Sequence, residues 1–120
     1  VWRYRPSNNV LVVVYDATTS SNPILTGVDN VTWGPRASLY VAEDGGDMQV
    51  VMIRPDNSLE SIVQVVGHAG SEITGPTFSP DGQRLYFSSQ RGPVSNGLPV
   101  GFMGGVTYEI TGPFDTLLGR

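Results

Sequence analysis

Val31-Thr32-Trp33-Gly34-Pro35, followed by Leu39-Tyr40-Val41, is echoed by Pro76-Thr77-Phe78-Ser79-Pro80, followed by Leu85-Tyr86-Phe87. Thr32 to Thr77 and Pro35 to Pro80 are each 45 residues apart, and Tyr40 to Tyr86 is 46. The second copy therefore carries one extra turn residue. Ser79-Pro80-Asp81-Gly82 supplies it: Pro sets φ, and Gly takes the left-handed position before the strand resumes. Each copy reads strand, tight turn, strand, loop, strand. A repeat of this length built from short strands is the arithmetic of a β-propeller blade. The expected fold is all-β, a partial β-propeller of about two to three blades of short antiparallel strands. A small free-standing sandwich or meander is the competing architecture.

Working outward, Val1 to Arg5 and Val10 to Tyr15 read as the last two strands of one blade, within 1–17. The second run is continuous and β-branched, the pattern of a strand buried on both faces. A complete blade spans 29–66, with strands at Val31 to Trp33, Leu39 to Ala42, Met48 to Ile53 and Ser61 to Val66. A further blade spans 73–114, with an insertion at 92–99 before the strand Gly105 to Ile110. Trp33 and Phe78 hold equivalent repeat positions and are expected in the core between blades. No stretch keeps a helical period, so no long helix is expected.

Two or three blades do not close a ring, because propellers have about 4 to 8. The expected partners are remaining blades of a longer parent chain, or copies joined through open strand edges. The opening Val1-Trp2-Arg3 has no leader pattern, so an internal or processed piece is expected.

Composition narrows the function classes. The 120 residues include 11 acidic and 7 basic side chains, every basic one Arg, for a net charge of -4. An acidic, Lys-free chain lacks the electrostatic footprint of a nucleic-acid binder. No apolar run has the length of a membrane helix, so no membrane insertion is expected. The absence of Cys excludes disulfides and thiolate chemistry.

Glu43-Asp44-Gly45-Gly46-Asp47 gathers three carboxylates in five residues. Hard cations such as Ca²⁺ take several oxygen ligands, and glycines let carbonyls turn inward. The same loop also reads as a solvated acidic turn. Glu72 reads as a metal ligand, or as the partner of Arg91 or Arg36 in an ion pair. Arg36 and Arg91 are the candidates for gripping a phosphate bidentately. Asp29-Asn30 reads as a turn before its strand, with ligation as the alternative. His68, the only His, reads as a loop bystander.

The run Glu72-Ile73-Thr74-Gly75-Pro76-Thr77-Phe78-Ser79-Pro80-Asp81-Gly82-Gln83-Arg84-Leu85-Tyr86-Phe87 resembles the last part of PhoX-like bacterial proteins, which are exported alkaline phosphatases and their relatives. Asp29-Asn30 with Leu39-Tyr40-Val41-Ala42-Glu43-Asp44-Gly45 resembles the preceding blade of that family. Gly105-Val106-Thr107-Tyr108-Glu109-Ile110-Thr111-Gly112-Pro113-Phe114 resembles its C-terminal end. The resemblance covers roughly Asp29 to Phe114. It implies a six-bladed propeller, Tat-dependent export to the periplasm or beyond, and a phosphomonoesterase site dependent on calcium and iron. Asp44 matches a position where the family places a metal-binding carboxylate, and Glu72 matches the Glu of its Glu-x-Thr-Gly motif. The metal ligands implied are Asp44, Glu43 and Glu72, holding Ca²⁺, with iron confined to the parent protein.

The chain departs from the family at Gln90-Arg91-Gly92-Pro93, where the phosphatases carry Gln-His-Pro-Gly. Two functions are therefore expected. One is a Ca²⁺-dependent phosphomonoester hydrolase, inactive as this piece alone. The other is a non-catalytic binding or scaffold propeller with a structural or lost metal site. A propeller hydrolase acting on lactones through one axial Ca²⁺ is a third class.

Overall fold

Among the described residues nine strands follow one another in order, and each pairs with its sequence neighbours. This computed structural model describes residues 1–93 and 104–116. The strands are β1 (Trp2–Arg5), β2 (Val10–Val13), β3 (Val28–Trp33), β4 (Leu39–Glu43), β5 (Gln49–Ile53), β6 (Leu59–Gln64), β7 (Ile73–Phe78), β8 (Arg84–Ser89) and β9 (Val106–Thr111). They form three antiparallel sheets: β1-β2, β3-β4-β5-β6 and β7-β8-β9. The chain is all-β, a partial propeller of two strands, then four, then three. A single 3₁₀ turn, Pro35–Ala37, is the one helical element among the described residues. Most of the expected insertion, 94–99, lies outside the described residues.

The repeat extends to irregularities that the pattern of apolar residues does not show. β3 and β4 slip register between Val28 and Val31, and β7 and β8 slip between Thr74 and Thr77. Each slip is a β-bulge, which sharpens local twist. Asn30 and Gly75 sit at the two bulges, and the Gly75 N–H donates to Asn30 Oδ1 at 2.9 Å. Asp29-Asn30 therefore belongs to a bulged strand, where the sequence suggested a turn. The bulge accommodates the Asx residues without ending the pairing. Gly82 takes φ 71° in its turn, as Ser-Pro-Asp-Gly requires.

The sheets stack face to face. Tyr40, Ala42, Val50 and Met52 on one face of the four-stranded sheet meet Ile73, Leu85 and Phe87 of the three-stranded sheet. Phe78 adds edge-to-face contacts to Tyr40 at 4.7 Å and to Phe114 at 5.2 Å. The opposite face presents Val41, Val51 and Ile53 to Tyr15 and Leu25, which lie beyond β2. β4 and β5 are thus covered on both sides, and their near-continuous apolar runs follow from that.

Two expectations of burial fail at the same end of the stack. β2 was expected to be buried on both faces, yet Val10, Leu11 and Val13 are exposed. Trp33 was expected in the core, yet it is 59% exposed, while its repeat equivalent Phe78 is half-buried. The cause is shared. β7 lies against a sheet that has its inner strands β3 and β4. β3 faces the sheet of β1 and β2, and among the described residues nothing covers its inner half.

Candidate functional site

Asp44, Glu72 and Asp29 meet at one end of the inner strands. Asp44 follows β4, Glu72 precedes β7, and Asp29 lies in the first turn of residues of β3. Matching backbone bonds hold the first two. The Asp44 N–H donates to the Gly27 carbonyl at 2.8 Å, and the Gln90 N–H donates to the Glu72 carbonyl at 2.9 Å. These pairs are the same bond in two copies of the repeat. Because β3 and β7 lie side by side, the β4–β5 loop of one sheet and the segment leading into β7 of the next come together. The two carboxyl groups then lie close enough for Asp44 to perturb Glu72.

Hydrogen bonding with Asp44 raises the Glu72 pKa, reinforced by burial and by the Asp44 charge. The charge of Asp29 adds to the rise, and Arg91 opposes it. The Arg91 Nη2 lies 3.5 Å from Glu72 Oε1, and its Nη1 donates to the Gly70 carbonyl at 3.3 Å. The ion pair suggested for Glu72 thus forms with Arg91. Arg36 sits in the turn after Trp33, at the other end of β3, away from the carboxylates.

The raised value sets a sign. Glu72 binds its proton more tightly in the folded chain than in the unfolded one, where the ordinary value is 4.5. The resulting stabilisation is complete below that value and is lost as pH rises through the folded value. Glu72→Gln keeps a neutral hydrogen-bonding group beside Asp44. Its thermal midpoint at pH 7 is expected to exceed that of the parent chain, with the difference closing below pH 4. Thermal melts across that range check it, and equal midpoints at pH 7 would remove the raised Glu72 pKa.

Glu43 faces elsewhere. It is 1% exposed, its Oε1 accepts the Thr26 N–H at 3.0 Å, and its Oε2 accepts Gln49 Nε2 at 3.4 Å. Gln49 Nε2 also reaches the Ile24 carbonyl at 3.3 Å and Asp47 Oδ2 at 3.4 Å. Glu43 therefore anchors the segment that leads into β3. It alternates with Asp44 along the chain, so the two carboxylates point to different places.

The sequence reading missed the equivalent of this anchor. His68 is 7% exposed, not a loose loop residue. Its Nδ1 lies 2.7 Å from Ser89 Oγ and its Nε2 lies 3.2 Å from the Tyr108 hydroxyl. Ser71 Oγ contacts Ser89 Oγ at 2.8 Å and accepts the Arg91 N–H at 2.9 Å. Ser89 is the repeat counterpart of Glu43, and Ser71 that of Thr26. One copy ties the segment before its inner strand with a carboxylate, and the other uses a Ser–His–Tyr chain. The available signal was the 46-residue offset from Glu43 to Ser89, which pairs a buried polar position with a buried polar position.

The carboxyl pair is the part of this end with free chemistry. Two oxygen-donor groups from successive sheets, close enough to perturb one another, offer a divalent cation part of an oxygen ligand set. Among the described residues no three His, Cys, Asp or Glu side chains converge as a complete metal site. No protein-family model, curated protein or solved structure matches the chain.

Proposed function

We propose that the chain is part of an exported, PhoX-like β-propeller that holds Ca²⁺ at the end of its inner strands, where it acts on phosphomonoesters. The carrying observation is the meeting of Asp44 and Glu72, drawn from two successive sheets, which raises the Glu72 pKa. Asp44 and Glu72 fit Ca²⁺ as hard oxygen donors, and further ligands come from other blades. Glu43 is already engaged on both oxygens and is left out of that set. Nothing among the described residues selects iron over Ca²⁺: the sequence has no Cys, and both nitrogens of His68 have partners. A bound Ca²⁺ polarises a phosphoryl group and offsets the charge that develops on it. Arg91, whose side chain is 41% exposed, stands beside Glu72 with a guanidinium suited to phosphate oxygens.

One observation favours the non-catalytic reading of the same site. His68 is spent on Ser89 and Tyr108, and Ser89 is fully buried, so neither serves as a free base or nucleophile. In that reading the cation only ties two blades together.

Calcium titration tests the cation, and a phosphatase assay separates the two readings. With CaCl₂ at about tenfold over a millimolar dissociation constant, the chain gains about 1.4 kcal/mol. That raises its thermal midpoint by about 5 °C. Asp44→Asn is expected to abolish the rise. An unchanged midpoint in the parent chain would sink the proposal. The chain alone is expected to leave p-nitrophenyl phosphate intact. Turnover by a form carrying the remaining blades supports the hydrolase, and its absence there supports the scaffold.

A further inference from the structure

We infer that Asp44-Gly45 is a site of spontaneous isomerisation, where the main chain migrates onto the Asp44 side-chain carboxyl and leaves an isoaspartyl linkage. This goes beyond the cation reading and does not depend on it. The reaction has three requirements. An aspartyl carboxyl must turn onto the next backbone nitrogen. The next residue must not crowd that approach, which glycine satisfies by lacking a Cβ. The nitrogen's N–H must not be held elsewhere. The chain has two Asp-Gly steps, Asp44-Gly45 and Asp81-Gly82.

Only the first step is free. Asp81 Oδ1 accepts the Ser79 hydroxyl at 2.5 Å and the Gln83 N–H at 3.0 Å. The Gly82 N–H donates to the Ser79 carbonyl at 2.8 Å. Carboxyl and nitrogen are thus both tied, as an Asx turn dictates. Asp16 and Asp56 are tied the same way, each accepting the N–H and hydroxyl of the residue two ahead. Asp44 makes no such turn, and among the described residues no hydrogen bond takes up the Gly45 N–H. Gly45 and Gly46 take φ of 73° and 62°, and a Cβ added at Gly45 would meet nothing within 4 Å. Asp44 and Asp81 are both exposed, so bonding and not access separates them. The Asp44 loop is bordered by described residues on both sides, Gly27 on one and Glu72 on the other.

The chemistry needs only water. The Gly45 nitrogen attacks Asp44 Cγ, a C–N bond forms, and the carboxyl C–OH bond breaks. The hydroxyl leaves with the amide proton as water, and a five-membered cyclic imide remains. Water then adds back at either imide carbonyl. Addition at Cγ restores Asp44. Addition at the main-chain carbonyl leaves the peptide bond on Cγ and the free carboxylate on Cα. The product has one more methylene in its main chain, and its carboxylate no longer stands at the end of a side chain. Isomerisation therefore takes the Asp44 carboxylate away from Glu72.

Ageing the full chain at neutral pH and physiological temperature lets the product accumulate. Protein isoaspartate methyltransferase with labelled S-adenosylmethionine reads it, and fragmentation of the digested chain places it. Asn96-Gly97, which reaches the same product by losing ammonia, is scored by its own position. Asp44 is expected to label at least about tenfold faster than Asp81, because opening the Asp81 turn forfeits at least one net hydrogen bond. In guanidinium chloride, where both turns are lost, the two steps are expected to label at similar rates. Asp44→Glu, whose carboxyl would close a less favoured six-membered ring, is expected to lose the label at position 44. Equal rates in the folded chain overturn the proposal. So does label at Asp81 ahead of Asp44, or a folded Asp44 that stays unlabelled while the unfolded chain labels.

Discussion

Tyr40→Phe is expected to stabilise the chain, and Tyr40→Ala to remove a large part of its stability. Tyr40 is completely buried on β4, with its ring 4.7 Å from Phe78 and 6.2 Å from Phe114 in edge-to-face geometry. Truncation to Ala opens a cavity where the two larger sheets meet. Such changes cost about 3–5 kcal/mol, against a total of about 5–15 kcal/mol for a domain. The hydroxyl has the opposite sign. Among the described residues it is buried without a hydrogen-bond partner. Burial pushes the phenol up to about 12, against the pull of the Arg54 charge. An unsatisfied buried polar group costs about 1–3 kcal/mol, and Phe removes it while keeping the ring. The midpoint of urea unfolding is therefore expected to rise in Tyr40→Phe and fall in Tyr40→Ala. The phenol also holds its proton more tightly when folded. Its contribution persists below pH 10 and fades as pH rises toward 12, a loss that the Phe variant escapes. A Tyr40→Phe variant weaker than the parent chain would show that the hydroxyl has a partner. Gly34 reports the same tightness. Its φ of -117° suits any residue, yet an added Cβ would strike the Tyr40 ring and lie 2.8 Å from Phe78.

Repeat arithmetic carried most of the fold. The 45-residue spacing located both inner strands and the Ser-Pro-Asp-Gly turn, because turn residues and alternating apolar residues act locally. Burial was less legible. Trp33 and Phe78 are equivalent in sequence, but burial depends on the neighbouring sheet, and the sheet facing Trp33 has only two strands. The Val10 to Tyr15 run misled for the same reason, since β-branching shows a strand and not what lies on its faces. At the site, the sequence indicated Asp44 and Glu72, and the fold brings these two together. It did not separate Glu43 from Asp44, because adjacent residues of a strand end face opposite ways only once the strand is in register. It missed the His68 anchor entirely, since that network joins residues 21 and 40 positions apart.

Glu43→Ala is expected to cost about 2 kcal/mol whether or not Ca²⁺ is present, while Asp44→Asn costs nothing in metal-free buffer. Removing the Glu43 carboxylate leaves the part-buried Thr26 N–H without its acceptor, while the Gln49 amide keeps two others. Losing a hydrogen bond to a charged group costs about 1.5–3 kcal/mol. Glu43→Gln keeps an oxygen for the Thr26 N–H, but it turns an amide NH₂ toward Gln49 Nε2. That amide retains the Ile24 carbonyl and Asp47 as acceptors, so about half the loss is recovered. Asp44 is exposed, and its carboxyl group meets another carboxyl group. Neutralising it relieves repulsion at neutral pH and strands no buried donor. Urea unfolding of the three variants, with EDTA and again with Ca²⁺, therefore sorts adjacent residues by role. An anchor costs the same in both buffers, whereas a ligand costs only when the cation is there to be lost. A Glu43→Ala deficit that appears only with Ca²⁺ would place Glu43 back among the ligands and make the segment before β3 part of the cation site.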